Sequence, residues 1–554
     1  MARTVAVEQP TIGAYLIKRL QDFGVRHVFG IPGDYVLGFY EQLAKSPIHI
    51  IGTVQEDGAG FAADAYARVN GIGAVCVTYC VGGLSLANPI AGAYAEKSPV
   101  VVISGAPGMR ERVNDPMLHH KVKSFSTQRE IFERITAAAI VIDDAEAAFG
   151  RIDDALRVCW QQKRPVYIEL PRDMVDARPR HAHVSQTVEV PTDADALAEA
   201  LAEAVGLLNK AKRPVILADV EVHRYGLGIE LTRLVESTGI PIAVTILGKS
   251  VISELHPNYL GVYEGAMGRT DVREAVEGSD CLLMLGTFLT DVNLGVFTAK
   301  LDRSLAIEAT SEKVQVSRHR YDGIAFGDFL RALANARIRK RALPKARARR
   351  AKVAKPGDVP MRATRLFELL NDRLVDGMAV VCDVGLCLFG AIDLVIHRKT
   401  EFLAPAYYTS MGFAVPGALG VGCANKDLRP VVLVGDGAFQ MTGMELSSIV
   451  RQRQDPIVLV LNNRGYTTER FIKDGRFNDI LDWRYELLPQ ILGTGWGAAV
   501  STEAEFAAAW DRARAHRGSF SIINIRLEQM DHCPALQRLG EQMAANLGPS
   551  GKKV

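Results

Sequence analysis

The sequence contains no apolar run approaching the roughly 18 residues of a membrane span. Its first ten residues, Met1 to Pro10, lack the apolar core of a secretory signal. A cytoplasmic protein without a membrane partner is therefore expected. Cysteine is sparse: the eight residues at 76, 80, 159, 281, 382, 387, 423 and 533 include no Cys-x-x-Cys pair. Several sit inside apolar stretches such as Ala74-Val75-Cys76-Val77, as reduced and buried thiols would. Net charge is nearly absent too, and a formal +2 argues neither for nor against an acidic partner. What remains is a chain of 554 residues, 48% apolar and 23% charged. That is enough for about three domains, each with a full core.

The most informative stretch lies near the C-terminal end. Pro430 to Val434 has the length and branching of a buried parallel strand and runs into Gly435-Asp436-Gly437, where glycine permits a tight turn and close approach to a ligand. Ala438 to Val450 is predicted as a helix, and Pro456 to Leu461 as a second buried strand ending at Asn462-Asn463. In an open α/β sheet, ligands sit outside the carboxyl ends of the strands. Asp436 and Asn463, 27 positions apart, are therefore expected to converge. With a backbone carbonyl from the turn at Gly465 they offer only oxygen, which suits a hard cation such as Mg2+. Gly-Asp-Gly alone is more often a plain strand-end turn. The whole unit, continued by Tyr466-Thr467-Thr468-Glu469, resembles the diphosphate- and Mg2+-binding motif of thiamine diphosphate enzymes.

At the other end of the chain, Ile12, Leu16, Ile17 and Leu20 give Thr11 to Phe23 a helical spacing. Strand Val28-Phe29 enters Gly30-Ile31-Pro32-Gly33-Asp34-Tyr35, leaving Asp34 at a strand end. A strand around Ile48 to Val54 precedes a helix of small residues from Gln55 to Arg68. Glu56 stands at its start, where a carboxylate most often serves the helix dipole. Strand Gly73 to Tyr79, helix Leu84 to Glu96 and strand Pro99 to Ser104 complete a βαβαβ alternation, the signature of a doubly wound parallel sheet. The turn at 30–34, the Glu56 helix, Thr78-Tyr79-Cys80-Val81-Gly82, and Gly92 to Pro99 through Ser104-Gly105-Ala106-Pro107 resemble the pyrimidine-binding domain of thiamine diphosphate-dependent 2-oxo-acid decarboxylases. That family includes pyruvate, indolepyruvate, phenylpyruvate and branched-chain 2-oxo-acid decarboxylases. His119-His120 alone reads as two solvated loop side chains, but the family carries a His-His pair at this place. Strand Pro165 to Leu170 closes the domain near residue 180.

The expected fold is α/β, with three doubly wound parallel-sheet domains: 1–180 for the pyrimidine, 193–336 as a middle domain, and 361–554 for diphosphate and Mg2+. The middle domain, with strands at Pro214 to Ala218, Pro241 to Thr245, Cys281 to Gly286 and Leu305 to Glu308, carries little obvious chemistry. Gly248-Lys249-Ser250 is not a phosphate loop, because Ala243 stands where the loop requires glycine. In the decarboxylase branch this domain usually holds no flavin. Arg337 to Lys355 contains ten Lys or Arg and no acid. No aromatic interleaves to stack bases, so 337–360 reads as a solvated linker and no nucleic-acid partner is expected. Arg-Pro-Val, starting at 164, 213 and 429, precedes a core strand in each domain, which suggests repeated architecture.

The resemblance implies non-oxidative decarboxylation of a small-molecule 2-oxo acid to an aldehyde and CO2 through a thiamine diphosphate ylid and enamine, with Mg2+ as metal. Glu56 would bond the pyrimidine ring nitrogen, Met411 would wedge the cofactor's two rings apart, and the carbonyl of Thr409 would hold the pyrimidine amino group. Thr78, Gly435, Asp436, Gly437, Ala438, Asn463, Gly465 and Tyr466 complete the cofactor set, with Asp436, Asn463 and Gly465 on the metal. Asp34, Glu56, His119, His120 and Glu469 are the expected catalytic residues, Glu469 marking the decarboxylating branch. In the family the two halves of a site come from different subunits, which implies at least a homodimer and commonly a homotetramer. Leu388 replaces a large aromatic residue of pyruvate decarboxylases and Thr468 a bulkier aliphatic one. With Leu386, Phe389 and Ile472 keeping the pocket apolar, aromatic or longer aliphatic 2-oxo acids are expected ahead of pyruvate. The alternatives are a carboligase like acetolactate synthase or benzaldehyde lyase, and a non-catalytic homologue. Cys80 stands where serine is common.

Overall fold

The computed structural model describes residues 9–185, 190–342 and 353–539. The centre of the expected basic linker, 343–352, and the C-terminal segment from 540 lie outside the described residues. No helix among the described residues is long and apolar enough to cross a membrane. All eight cysteines are buried and unbridged.

Three sheets carry the chain. The first runs His49–Gly52, His27–Gly30, Gly73–Val77, Val100–Ala106, Val166–Pro171, Ala138–Val141, with every pair parallel. Gly73–Val77 and Val100–Ala106 are buried at every position. Such continuous apolar runs belong to parallel strands covered on both faces. The helix Ile12–Asp22 is capped by Thr11, whose hydroxyl accepts the Ala14 N–H, and buries Ile12, Leu16, Ile17 and Leu20.

The third sheet runs Glu401–Leu403, Met378–Cys382, Arg429–Gly435, Ile457–Asn462, Ser521–Arg526, Trp496–Val500, again all parallel. Numbered within each sheet, its strand order is the same as the first: 2-1-3-4-6-5. This shared topology agrees with the repeated Arg-Pro-Val entry. In the third sheet the entry arginine is structural, for Arg429 donates to the carbonyls of Asp455, Ala513, Arg514 and His516.

The middle sheet departs from a wholly parallel one. Its core strands are parallel, but Ile307–Ala309, Val314–Val316 and His319–Tyr321 form an antiparallel edge. Two residues separate the last two strands, and a parallel crossover needs a dozen or more. Two expected helices are also interrupted. The helix over 438–450 is instead Asp436–Thr442, a 3-10 turn Gly443–Glu445 and Leu446–Arg451. Gly443 lies so close to the Phe439 ring that a Cβ there would collide. The helix over 84–96 becomes Val81–Ser85 and Ala87–Ala95.

The chain divides into two compact units, one of Met1–Glu189 with Leu419–Asn425, the other of Val190–Ala418 with Lys426–Val554. The middle and third sheets thus share the second unit.

Candidate active site

In the third sheet the strand order reverses between Met378–Cys382 and Arg429–Gly435, which places the residues after both strands at a switch point where ligands bind. Asp383 follows the first strand and Asp436 the second. Gly435 pairs with Leu461, so Asn463 emerges on the neighbouring strand. Asp436 is 2% exposed and accepts the N–H of Gly437 at 2.8 Å and of Gly465 at 3.1 Å. Burial pushes its carboxyl up to about 6, against the lowering effect of these backbone donors. Asn463 is 4% exposed, and its Oδ1 is buried without a hydrogen-bond partner.

An orphaned amide oxygen beside a buried carboxylate fits a hard cation, since the Asn463 oxygen has no partner to offset its desolvation and two backbone donors offset only part of that of Asp436. The turn that follows is built for close approach. Gly465 has φ +152°, and a Cβ there would collide with the carbonyl oxygen of Asn478. At Gly437 a Cβ would collide with the Tyr466 ring.

Asp383 is a residue that sequence reasoning missed. Fully buried, it accepts the N–H of Gly412 at 3.1 Å and of Ala414 at 3.0 Å. Thr442 Oγ1 donates to the Gly412 carbonyl at 2.7 Å. Together they pin the turn that carries Thr409 and Met411. Burial pushes Asp383 up to about 6.

These elements open onto a cavity of about 500 Å³. Gly435, Asp436, Gly437, Ala438, Asn463, Gly465 and Tyr466 line it, together with Thr409 and Met411. Leu386, Leu388, Phe389, Thr468, Glu469 and Ile472 complete the expected set. Every candidate of the third domain therefore reaches one cavity. Met267, Asp291, Val292 and Val296 of the middle domain and Leu539 also line it, which the sequence did not reveal. Arg538 Nε donates to the Met267 carbonyl at 2.5 Å and brings the end of the described chain to this wall.

The first sheet has its own switch point, between His27–Gly30 and Gly73–Val77. Asp34 follows one strand and Thr78 the other. Gly33 packs on Thr78, where a Cβ would lie 2.5 Å from the threonine Cβ. Thr78 Oγ1 is buried without a partner. Glu56 is the first residue of helix Glu56–Asn70 and is half-buried. Its Oε1 and the Thr78 methyl each lie 3.4 Å from where a Gly82 Cβ would stand, so both border the same glycine.

His119 Nε2 lies 2.8 Å from Asp34 Oδ2. One ring nitrogen or carboxylate oxygen from each of Asp34, His119 and His120 falls within 4.8 Å of the others. The structure thus brings these three together on an open surface, with side chains of Asp34 and His119 42% and 57% exposed. Cys80 sits on a sparsely populated backbone conformation, φ 50° and ψ −69°. Its N–H donates to Gln128 Oε1 at 2.5 Å, and Gln128 Nε2 reaches Ser104 and Tyr167. Tyr167 and Arg112 both donate to Glu169, whose carboxyl burial pushes up. This network holds the turn below the histidine loop and left no sequence signature.

Thiamine pyrophosphate enzyme domains match the chain in three parts: the N-terminal TPP binding domain at 10–129, the central domain at 201–334 and the C-terminal TPP binding domain at 383–525. Similar proteins include the indole-3-pyruvate decarboxylase of Azospirillum brasilense, 37% identical over 92% of this chain and 94% of that protein. The alpha-keto-acid decarboxylase of Mycobacterium leprae is 35% identical over 87% and 86%, and the pyruvate decarboxylase of Aspergillus fumigatus 32% over 96% and 97%. The chain belongs to the thiamine diphosphate (pyrophosphate) enzymes and, within them, to the family of 2-oxo-acid decarboxylases.

Proposed function

We propose that the chain converts a 2-oxo acid to an aldehyde and CO2, preferring aromatic and longer aliphatic acids to pyruvate. The observation that carries the reading is an apolar cavity holding buried Asp436, the unpartnered Asn463 oxygen and Glu469 together. Loss of CO2 leaves an electron pair that no side chain can delocalise, and thiamine diphosphate supplies the electron sink when bound.

Asp436, Asn463 and the carbonyl of Gly465 would hold Mg2+, and Gly435, Gly437, Ala438 and Tyr466 would contact the diphosphate. Thr409, Met411 and Thr78 would orient the rings, and Glu56 would hold a proton at the pyrimidine nitrogen. Release of aldehyde requires a proton at the carbon that lost CO2. Asp34, His119, His120 and Glu469 would move it, each positioned acid or base contributing about 10²–10⁴-fold. Leu388 and Thr468 leave room for a large side chain, and Leu386, Phe389 and Ile472 keep its surroundings apolar. The domain limits 1–180, 193–336 and 361–554, joined by the linker at 337–360, a homodimer at minimum with a homotetramer as the common form, and a cytoplasmic location belong to the same reading.

Aldehyde formation from pyruvate, 2-oxoisovalerate, phenylpyruvate and indolepyruvate, with and without thiamine diphosphate and Mg2+, tests it. Aldehyde that needs both additions and is strongest with the aromatic acids is expected. Aldehyde mainly from pyruvate overturns the pocket reading, and none from any acid with cofactor bound overturns the reaction.

A further inference from the structure

We propose that Arg172 is a positioning residue for the Asp34–His119 pair, acting on both members at once; the inference rests on the proton role given to that pair above. Arg172 directly follows strand Val166–Pro171 and is remote from Asp34 in sequence. Glu111 takes up its fork: Arg172 Nε donates to Glu111 Oε2 at 2.8 Å and a terminal nitrogen to Oε1. Glu111 is itself held by the Gly108 N–H at 2.7 Å. With its orientation fixed, Arg172 presents its other terminal nitrogen 3.9 Å from Asp34 Oδ2 and its guanidinium carbon 5.1 Å from the centre of the Tyr35 ring.

Tyr35 carries the effect to the histidines. Its ring stacks on His119 at 4.7 Å and 18°, and meets His120 edge-on at 5.9 Å. Its hydroxyl lies 3.3 Å from His119 Nδ1 and donates to the His119 carbonyl at 3.3 Å. That contact at Nδ1 leaves Nε2 facing Asp34. Because Asp34 and His119 are about half exposed, burial in a core does not lock their rotamers. The Glu111–Arg172–Tyr35 chain of contacts does so instead. Lysine would keep a charge here but neither the fork nor the flat face.

The consequence is a branch in the reaction. With the pair in register, the acyl carbon receives a proton and leaves as aldehyde. With the pair displaced, the same carbon bonds to the carbonyl carbon of a second aldehyde, whose oxygen takes the proton, and a 2-hydroxy ketone leaves.

Arg172→Gln and Arg172→Lys in the holoenzyme test this. The glutamine variant is expected to form aldehyde about tenfold more slowly, with unchanged thiamine diphosphate affinity and a higher ratio of 2-hydroxy ketone to aldehyde. The lysine variant should recover less than half of the loss. In cofactor-free protein, the 15N imidazole resonances of His119, assigned with His119→Asn, should move in Arg172→Gln and in Tyr35→Leu. Unmoved resonances with an unchanged product ratio overturn the proposal, as does full rescue by lysine. Moved resonances in a protein that forms no aldehyde uphold the placement and overturn the reaction instead.

Discussion

Asp34 and Asp436 both follow a glycine-ended strand at a point where strand order reverses, in sheets of the same topology. One has a side chain 42% exposed and the other residue is 2% exposed. Asp436 is held by backbone N–H groups of Gly437 and Gly465, Asp34 by the side chains of His119 and Arg172. Backbone donors are fixed by the fold and cannot titrate, so they suit a site that must keep one shape around a bound ion. Side-chain donors can rotate and exchange protons, as a proton path requires. The contrast predicts that substitutions at the buried site act on cofactor binding, and those among the proton-moving groups on turnover.

Glu469→Gln should show the largest effect on turnover. Aldehyde kcat is expected to fall about 10²–10⁴-fold, with thiamine diphosphate affinity within about threefold of wild type. A variant that loses cofactor in step with activity would break the comparison, because Glu469 would then belong with the binding groups. Leu388→Trp should act more mildly. Filling the cavity beside Phe389 should shift the ratio of kcat/KM for phenylpyruvate over pyruvate by about tenfold toward pyruvate, with no change in the metal requirement.

An effect on stability with none on turnover concerns Asp219, a buried carboxyl in the middle domain. It accepts the N–H of Val220 at 2.6 Å and of Phe288 at 2.7 Å, and burial pushes it up to about 7. Its folded value lies above the unfolded one near 4, so the folded protein keeps a proton that the unfolded chain releases. That contribution is present below about pH 4 and is lost as pH rises through about 7. Asp219→Asn should flatten the fall in urea-unfolding stability between those limits. An unchanged slope would remove Asp219 from the pH dependence and weaken the use of burial to separate the two kinds of site.

What the sequence revealed divides along the same line. The strand-helix-strand unit that brings Asp436 to Asn463 was legible because a buried strand, a glycine turn and a second strand are all local patterns. Asp34, Glu56 and the His119-His120 pair were visible through their motifs. Their holders were not: Arg172 and Glu111 look like ordinary surface ion-pair residues until the fold sets them beside Tyr35. Met267, Val292 and Val296 drew no notice in the sequence, because an apolar residue lining a cavity has no pattern of its own. The broken helix after Asp436 was missed because the crowding of Gly443 against Phe439 appears only in three dimensions. Likewise, Cys80 revealed its strained backbone and Asp383 its grip on the Met411 turn only once folded.

The most direct measurement is calorimetric titration of thiamine diphosphate, in the presence of Mg2+, into wild type and Asp436→Asn. The substitution keeps size and an acceptor but removes the charge. Affinity should weaken at least about 100-fold, while the unfolding midpoint of the cofactor-free protein stays the same or rises as a buried charge is removed. Equal affinity in the two proteins would contradict the assignment of the buried oxygens to the cofactor's cation.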